Sequence, residues 1–184
     1  MPSRHTTEGA RLPLTDSAPP QLDGTPTVLV SQPRNALITA TLTPTPIPMP
    51  TPMLPISYEA ESSQNIWTGM AGPVSCSGCS GGYRVCCLST PSDGQSGTLQ
   101  FNNVKKNRAG NDTMTIHYTE GDSGSRIGYV SVNGRPAITF TGVYTGSWGT
   151  VETVNMTISL NAGDNTIKFF NPNGPGPDID RIVV

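Results

Sequence analysis

Several stretches of this chain alternate apolar and polar residues with a period of two, and that period decides what the chain can fold into. Met114, Ile116 and Tyr118 alternate with Thr113, Thr115, His117 and Thr119. Val130 and Val132 alternate with Tyr129 and Ser131; Val154, Met156, Ile158 and Leu160 alternate with Asn155, Thr157 and Ser159. Successive side chains of an extended strand point to opposite faces, so each stretch offers one apolar face to a core and one polar face outward. Asn133-Gly134 supplies the residues of a tight hairpin turn, and Asn161 to Asn165 turns the chain into Thr166-Ile167-Lys168-Phe169-Phe170. Further strands are expected around Tyr58 to Glu61, Tyr83 to Leu88, Thr98 to Val104 and Ala137 to Thr141. No stretch carries a helical stripe. Short strands with frequent turns predict an all-β chain, an antiparallel β-sandwich of the jelly-roll kind.

That pattern begins at Ser57. Residues 1–56 hold twelve of the eighteen prolines and no Phe, Tyr or Trp, so they lack the apolar area that would offset the entropy of ordering. The expected organisation is a disordered Pro/Thr-rich linker over 1–56 and one β-sandwich domain over 57–184. The Thr-Pro run from Thr43 to Pro55 favours polyproline II, a semi-rigid spacer. Val28-Leu29-Val30, flanked by prolines, makes a poor strand.

The formal net charge of −2 gives no basic footprint for nucleic acid, and no apolar run is long enough to span a bilayer. No apolar segment of the signal-peptide kind follows Met1-Pro2-Ser3-Arg4-His5, so an export route is not written there.

Two carboxylate pairs stand at opposite ends of the sandwich region. Asp178 and Asp180 are two apart in an expected strand and share a face, as do Glu59 and Glu61. Like charges side by side repel unless a cation sits between them. If the first and last strands are neighbours, hard carboxylate oxygens from both meet, which is the ligand chemistry calcium prefers. The plain alternative is that these acids merely keep the surface soluble.

Trp148 lies between Gly146-Ser147 and Gly149 in a stretch without alternation, where a partly exposed indole offers a flat surface to the C–H face of a sugar ring; the competing reading is a core anchor. All four cysteines fall between Cys76 and Cys87. Adjacent Cys86 and Cys87 should point to opposite strand faces, which disfavours a four-cysteine zinc site. The expected state is a local Cys76–Cys79 disulfide in a secreted protein, with Cys86 and Cys87 as partly buried thiols, although three pairings stay open. Trp67 is expected in core or strand packing, and His117 on an outward face.

In order along the chain, Tyr58-Glu59-Ala60-Glu61, Ser80-Gly81-Gly82, Val130-Ser131-Val132-Asn133-Gly134, Gly146-Ser147-Trp148, Leu160 to Ile167 and Asp178-Ile179-Asp180 resemble carbohydrate-binding modules of families 6 and 35. The resemblance covers 57–184. It implies a calcium-stabilised β-sandwich that binds sugar without catalysis and is usually appended to a glycoside hydrolase. Glu59, Glu61 and Asp180 match the calcium ligands, Trp148 the stacking aromatic, and Asp178 a polar residue that bonds sugar hydroxyls. Cys87 departs from the pattern, standing where such modules carry a tyrosine wall; Tyr144, in the Trp148 loop, or Tyr83 would replace that wall. The expected partners are a galactose-, xylose- or uronate-containing polysaccharide or oligosaccharide and a tethered glycoside hydrolase, with the module itself monomeric and extracellular. The rival readings are a structural or adhesive calcium-stabilised sandwich without sugar binding and, third, a small glycoside hydrolase using two of the acids.

Overall fold

The computed structural model describes residues 54–89 and 97–184. The expected linker up to residue 53, including Val28 to Val30, lies outside the described residues.

The alternating stretches all form strands. In chain order these are β1 (Ser57–Glu59), β2 (Ile66–Thr68), β3 (Gly72–Ser75), β4 (Tyr83–Cys86), β5 (Thr98–Lys106), β6 (Gly110–Thr119), β7 (Ser125–Val132), β8 (Ile138–Val143), β9 (Glu152–Leu160), β10 (Gly163–Phe170) and β11 (Asp178–Val183). They make two antiparallel sheets, one ordered β3-β4-β11-β6-β9 with β1 also paired to β11, the other ordered β2-β5-β10-β7-β8. The all-β sandwich is therefore as expected. Among the described residues no helix is long and apolar enough to cross a membrane.

The periodicity located the core. Met114, Ile116, Tyr118, Val130, Ile158, Leu160, Ile167 and Phe169 are all buried between the sheets, and Val154 and Met156 are half-buried against them. Phe169 holds the centre, edge-on to Phe101 and Phe140 with ring centroids 5.6 and 6.1 Å apart. Asn133 and Gly134 both take positive φ, 52° and 71°, and close the turn after β7 as the Asn-Gly pair predicts.

β2 and β3 are not legible in the sequence, being short and holding a tryptophan and a proline. Pro73 is tolerated because β3 is an edge strand, where a missing N–H leaves no ladder bond unmade. Trp67 lies in β2, packs on the core and donates its indole N–H to the Ala60 carbonyl at 3.2 Å, the packing role expected. The paired region starts one residue before Ser57: Ile56 and Val184 exchange backbone hydrogen bonds of 2.8 and 3.0 Å, which extends the β1–β11 pairing outward.

Phe169→Ala removes a fully buried ring and should lower the free energy of unfolding by about 3–5 kcal/mol, read as a shift in urea midpoint. An unshifted midpoint would mean that the ring is not in the core.

Candidate functional site

β11 is the centre of the site because it lies between β1 and β4 on one side and β6 on the other. Ile179 and Ile182 face the core although they are three apart, because a bulge between Ile179 and Arg181 sets Asp180 and Arg181 together on the other face. Asp178 and Asp180 share that second face, as the sequence spacing predicts, yet both are buried, at 4% and 1% exposure. The two carboxylates have different partners.

Asp180 faces the chain start. β1 runs antiparallel to β11 with Glu59 opposite Arg181, and the Ala60 N–H donates to the Asp180 carbonyl at 2.9 Å. Glu59 and Glu61 are thereby brought beside Asp180. Burial pushes the Asp180 carboxyl up to about 6; Glu59 and Glu61 add to that rise, while Arg181 and the Ser80 backbone N–H oppose it. Burial also raises Glu61, followed in sign by the charge of Glu59. Glu59 Oε2, Glu61 Oε2 and both Asp180 oxygens are buried without a well-formed hydrogen bond, with the Ser80 N–H and, at 3.5 Å, Arg181 Nη1 facing Asp180. The 3-10 turn Ser80–Gly82 closes over them: Ser80 Oγ donates to Glu59 Oε1 at 3.0 Å, and a Cβ on Gly81, whose φ is 64°, would collide with Glu61 Oε1.

Among the described residues no group of three or more His, Cys, Asp or Glu side chains is arranged as a ready-made metal site. The unpartnered oxygens weigh more, since burying charged oxygens without partners costs several kcal/mol and a hard cation's shell also draws on backbone carbonyls. The donor set fits calcium; it does not fit zinc, whose structural sites take Cys and His.

Asp178 pairs instead with Arg84 of β4, Nε to Oδ2 at 2.7 Å. Burial raises the Asp178 carboxyl, and Arg84, Arg126 and the Cys87 N–H pull it back. Its carboxylate is thus engaged with Arg84 and the Cys87 N–H. Arg84 carries the site outward, its guanidinium lying 5.3 Å from the Trp148 ring centroid.

Trp148 stands in the β8–β9 loop, half-buried, which settles the choice between exposed loop and core anchor as an intermediate. Arg126 of β7 lies 5.0 Å from its centroid, and a Cβ on Gly121 would overlap the indole. The loop is pinned by Thr145, which accepts from the Glu120 N–H at 3.1 Å, and by the Cys76–Cys79 turn, where Gly78 packs on the Gly149 carbonyl. Tyr144 and Tyr83 are both exposed, at 49% and 46%. The Tyr144 hydroxyl donates to the Gly146 carbonyl at 2.6 Å, so its ring is fixed against its own loop. Tyr83 begins β4 next to Gly82, whose carbonyl accepts from the Cys76 N–H at 2.8 Å.

Sequence reasoning missed Arg84, Arg126 and Glu120. Glu120 is fully buried at the end of β6, 3.1 Å from Arg126 Nε, and Arg126 also pairs with Asp122. Burial raises Glu120 above the usual carboxylate value, against the Asp122 N–H and Arg126. A buried Glu and two half-exposed arginines leave no periodic trace in the sequence. His117, expected on a plain outward face, is half-buried opposite Arg181, and burial followed by the Arg181 charge lowers its pKa.

The Cys76–Cys79 disulfide is present. The thiols expected at Cys86 and Cys87 are not: these adjacent cysteines are joined, and no cysteine is free. Opposite-face alternation fails there because β4 ends at Cys86 and Cys87 takes the left-handed region, φ 64°, which turns its side chain back toward its neighbour.

Residues 98–184 match the family described as CBM13-like, the CBM13 domain of alpha-galactosidase. The chain is similar to a family 35 carbohydrate binding module from Clostridium thermocellum, with 32% identity, 70% of this chain and 98% of that one covered, and a TM-score of 0.65. It is also similar to the exo-β-1,3-galactanase Pc1,3Gal43A from Phanerochaete chrysosporium, crystallised with galactose, at 33% identity and a TM-score of 0.64. That match covers 72% of this chain but spans about 30% of the galactanase's length. CBM35 from Paenibacillus barcinonensis shares the fold at 24% identity and a TM-score of 0.60, over 70% of this chain and 98% of that one. No protein of curated function matches.

Arg84→Ala strands a buried carboxylate and should cost about 3 kcal/mol in urea unfolding, with part regained in Arg84→Ala/Asp178→Asn. Additive losses would show that the two side chains do not interact. Thiol reagent added to unfolded, unreduced protein should find no reactive cysteine; labelling of Cys86 and Cys87 would restore the thiol expectation.

Proposed function

We propose that this chain, which belongs to the family 35 carbohydrate-binding modules, holds a neutral, galactose-bearing polysaccharide on the Trp148 surface while a calcium ion fixes the β1–β11 contact. The observation that carries the sugar reading is the half-buried indole of Trp148, held in place by Gly121 and two guanidinium groups. Aromatic faces attract sugar C–H faces, and a platform already fixed in place spends little entropy on binding.

Charge selects among the sugars expected. Around the indole, the carboxylates of Asp178, Glu120 and Asp122 outnumber the guanidiniums of Arg84 and Arg126, three against two, and each guanidinium is already paired. An acidic sugar meets no unpaired cation there and a surplus of negative charge, so a uronate is disfavoured. The likeness to a galactanase structure that holds galactose supports galactose over xylose.

Calcium would be held by Glu59, Glu61 and Asp180, with backbone carbonyls of the Cys76–Gly82 segment available to complete its shell. When bound it supplies positive charge to oxygens that otherwise lie buried without partners. The same likeness supports a glycoside hydrolase as the protein that this module serves, attached or partnered, since tethering raises the enzyme's effective concentration on its polymer. Two disulfides support an extracellular location.

Isothermal titration of the full chain with β-1,3-galacto-oligosaccharide, xylo-oligosaccharide and an oligouronate should show binding to the first, and Trp148→Ala should abolish it. Binding to the uronate alone would refute the charge argument; binding to none would leave a structural sandwich. A calcium chelator should lower the melting temperature by several degrees, and Asp180→Asn should remove most of that sensitivity. A melting temperature that ignores the chelator would dispose of the calcium.

A further inference from the structure

The Cys86–Cys87 disulfide has no evident use in stability. Cross-links stabilise by closing loops in the unfolded chain, and this one joins neighbours, closing a loop of minimal length. What it does fix is local shape. Cys87 sits at φ 64°, a region that a residue with a side chain rarely occupies, and the covalent ring through the Cys86–Cys87 peptide bond holds it there. The surrounding backbone holds it from the other side. The Cys87 N–H donates to the Asp178 carboxylate, its carbonyl accepts from the Ser89 N–H at 3.0 Å, and Gly97 packs against that carbonyl so closely that a Cβ there would collide with it. Despite these constraints Cys87 is exposed and Cys86 half-buried. A rigid pair of sulfur atoms is thus presented at the surface, without a strong hydrogen-bond donor.

Its neighbours are those of the indole. Asp178 accepts from the Cys87 N–H and from Arg84 Nε, and the Arg84 guanidinium lies 5.3 Å from the Trp148 ring centroid. Arg84 and Cys86 are also two apart on β4, on the face opposite buried Val85. The disulfide and the indole therefore stand on two sides of one buried ion pair.

Resting on the carbohydrate reading above, we propose that the Cys86–Cys87 disulfide forms a wall of the sugar site, packing its polarisable sulfurs on the C–H face of a neutral sugar bound against Trp148. Sulfur makes favourable dispersion contacts with apolar surface, and a wall locked by its own covalent ring loses no rotamer freedom when the sugar arrives. The wall exists only in the oxidised chain, since two electrons and two protons open it to a pair of flexible thiols.

The test uses β-1,3-galactotriose and the full chain. Cys86→Ala/Cys87→Ala should bind about tenfold more weakly than the unaltered chain, while its melting temperature and chelator response stay close to those of the parent. In parallel, the unaltered chain is treated with tris(2-carboxyethyl)phosphine, which takes oxygen from water to become the phosphine oxide as it reduces each disulfide. Saturating sugar should slow reduction of Cys86–Cys87, followed by peptide mass mapping, and leave the rate at Cys76–Cys79 unchanged. If the double variant fails to fold, this protection decides alone. Undiminished binding in a folded double variant, or equal rates with and without sugar, overturns the wall and leaves the carbohydrate reading intact. If the unaltered chain binds no sugar, both fall.

Discussion

The antiparallel contact between β1 and β11 is the constraint on which the rest of this structure depends. It ties the start of the sandwich to its end through a backbone ladder that runs from Ile56–Val184 to Ala60–Asp180. By doing so it sets Glu59 and Glu61 against Asp180, and the Ser80–Gly82 turn then covers part of the group. Antiparallel pairing is what makes this possible, since it brings the end of β1 to the beginning of β11. The cost is a set of buried carboxylate oxygens without a well-formed hydrogen bond, a situation that a folded protein tolerates when a cation compensates it.

β11 distributes charge in two directions from one strand. Asp180 looks toward the acids of the chain start, while Asp178, two residues earlier on the same face, is neutralised by Arg84. Arg84 and Arg126 then lie against Trp148, so a ring that would otherwise be free in a glycine-rich loop has a fixed position. The ion pairs here serve orientation more than net stability, because charges taken from water recover little beyond their desolvation cost. Both guanidiniums that lie against the indole are thereby occupied by carboxylates.

The cysteines frame the same region. The Cys76–Cys79 turn backs the Trp148 loop, with Cys76 Sγ 3.6 Å from the Trp148 carbonyl, and the Cys86–Cys87 ring adjoins Asp178. Neither disulfide spans much chain, so both shape loops instead of stapling distant elements. Loops that carry a binding surface on a rigid sandwich gain from this, because order imposed before binding need not be imposed by the ligand.

Sequence alone determined the strands that alternate, the residues they bury and the turn at Asn133-Gly134, because strand periodicity and positive-φ turn residues are local properties. It also predicted that Glu59 and Glu61 meet the last strand, where Asp180 alone receives them, Glu61 from the turn after β1, while Asp178 pairs with Arg84. The short strands β2 and β3 escaped it, since three or four residues with a proline among them carry no period. Arg84 escaped it because its partner Asp178 lies 94 residues away on another strand, which no local pattern records; Glu120 and Arg126, close in sequence, escaped it because their pairing forms across the turn from β6 to β7. The Cys86–Cys87 bond was hidden by the same alternation that located the core, because strand periodicity ends where the backbone leaves the strand. Tertiary structure alone decided which carboxylate is hydrogen-bonded to a cation of the protein and which is only approached by one, as burial and cross-strand register, not residue type, set each one's surroundings.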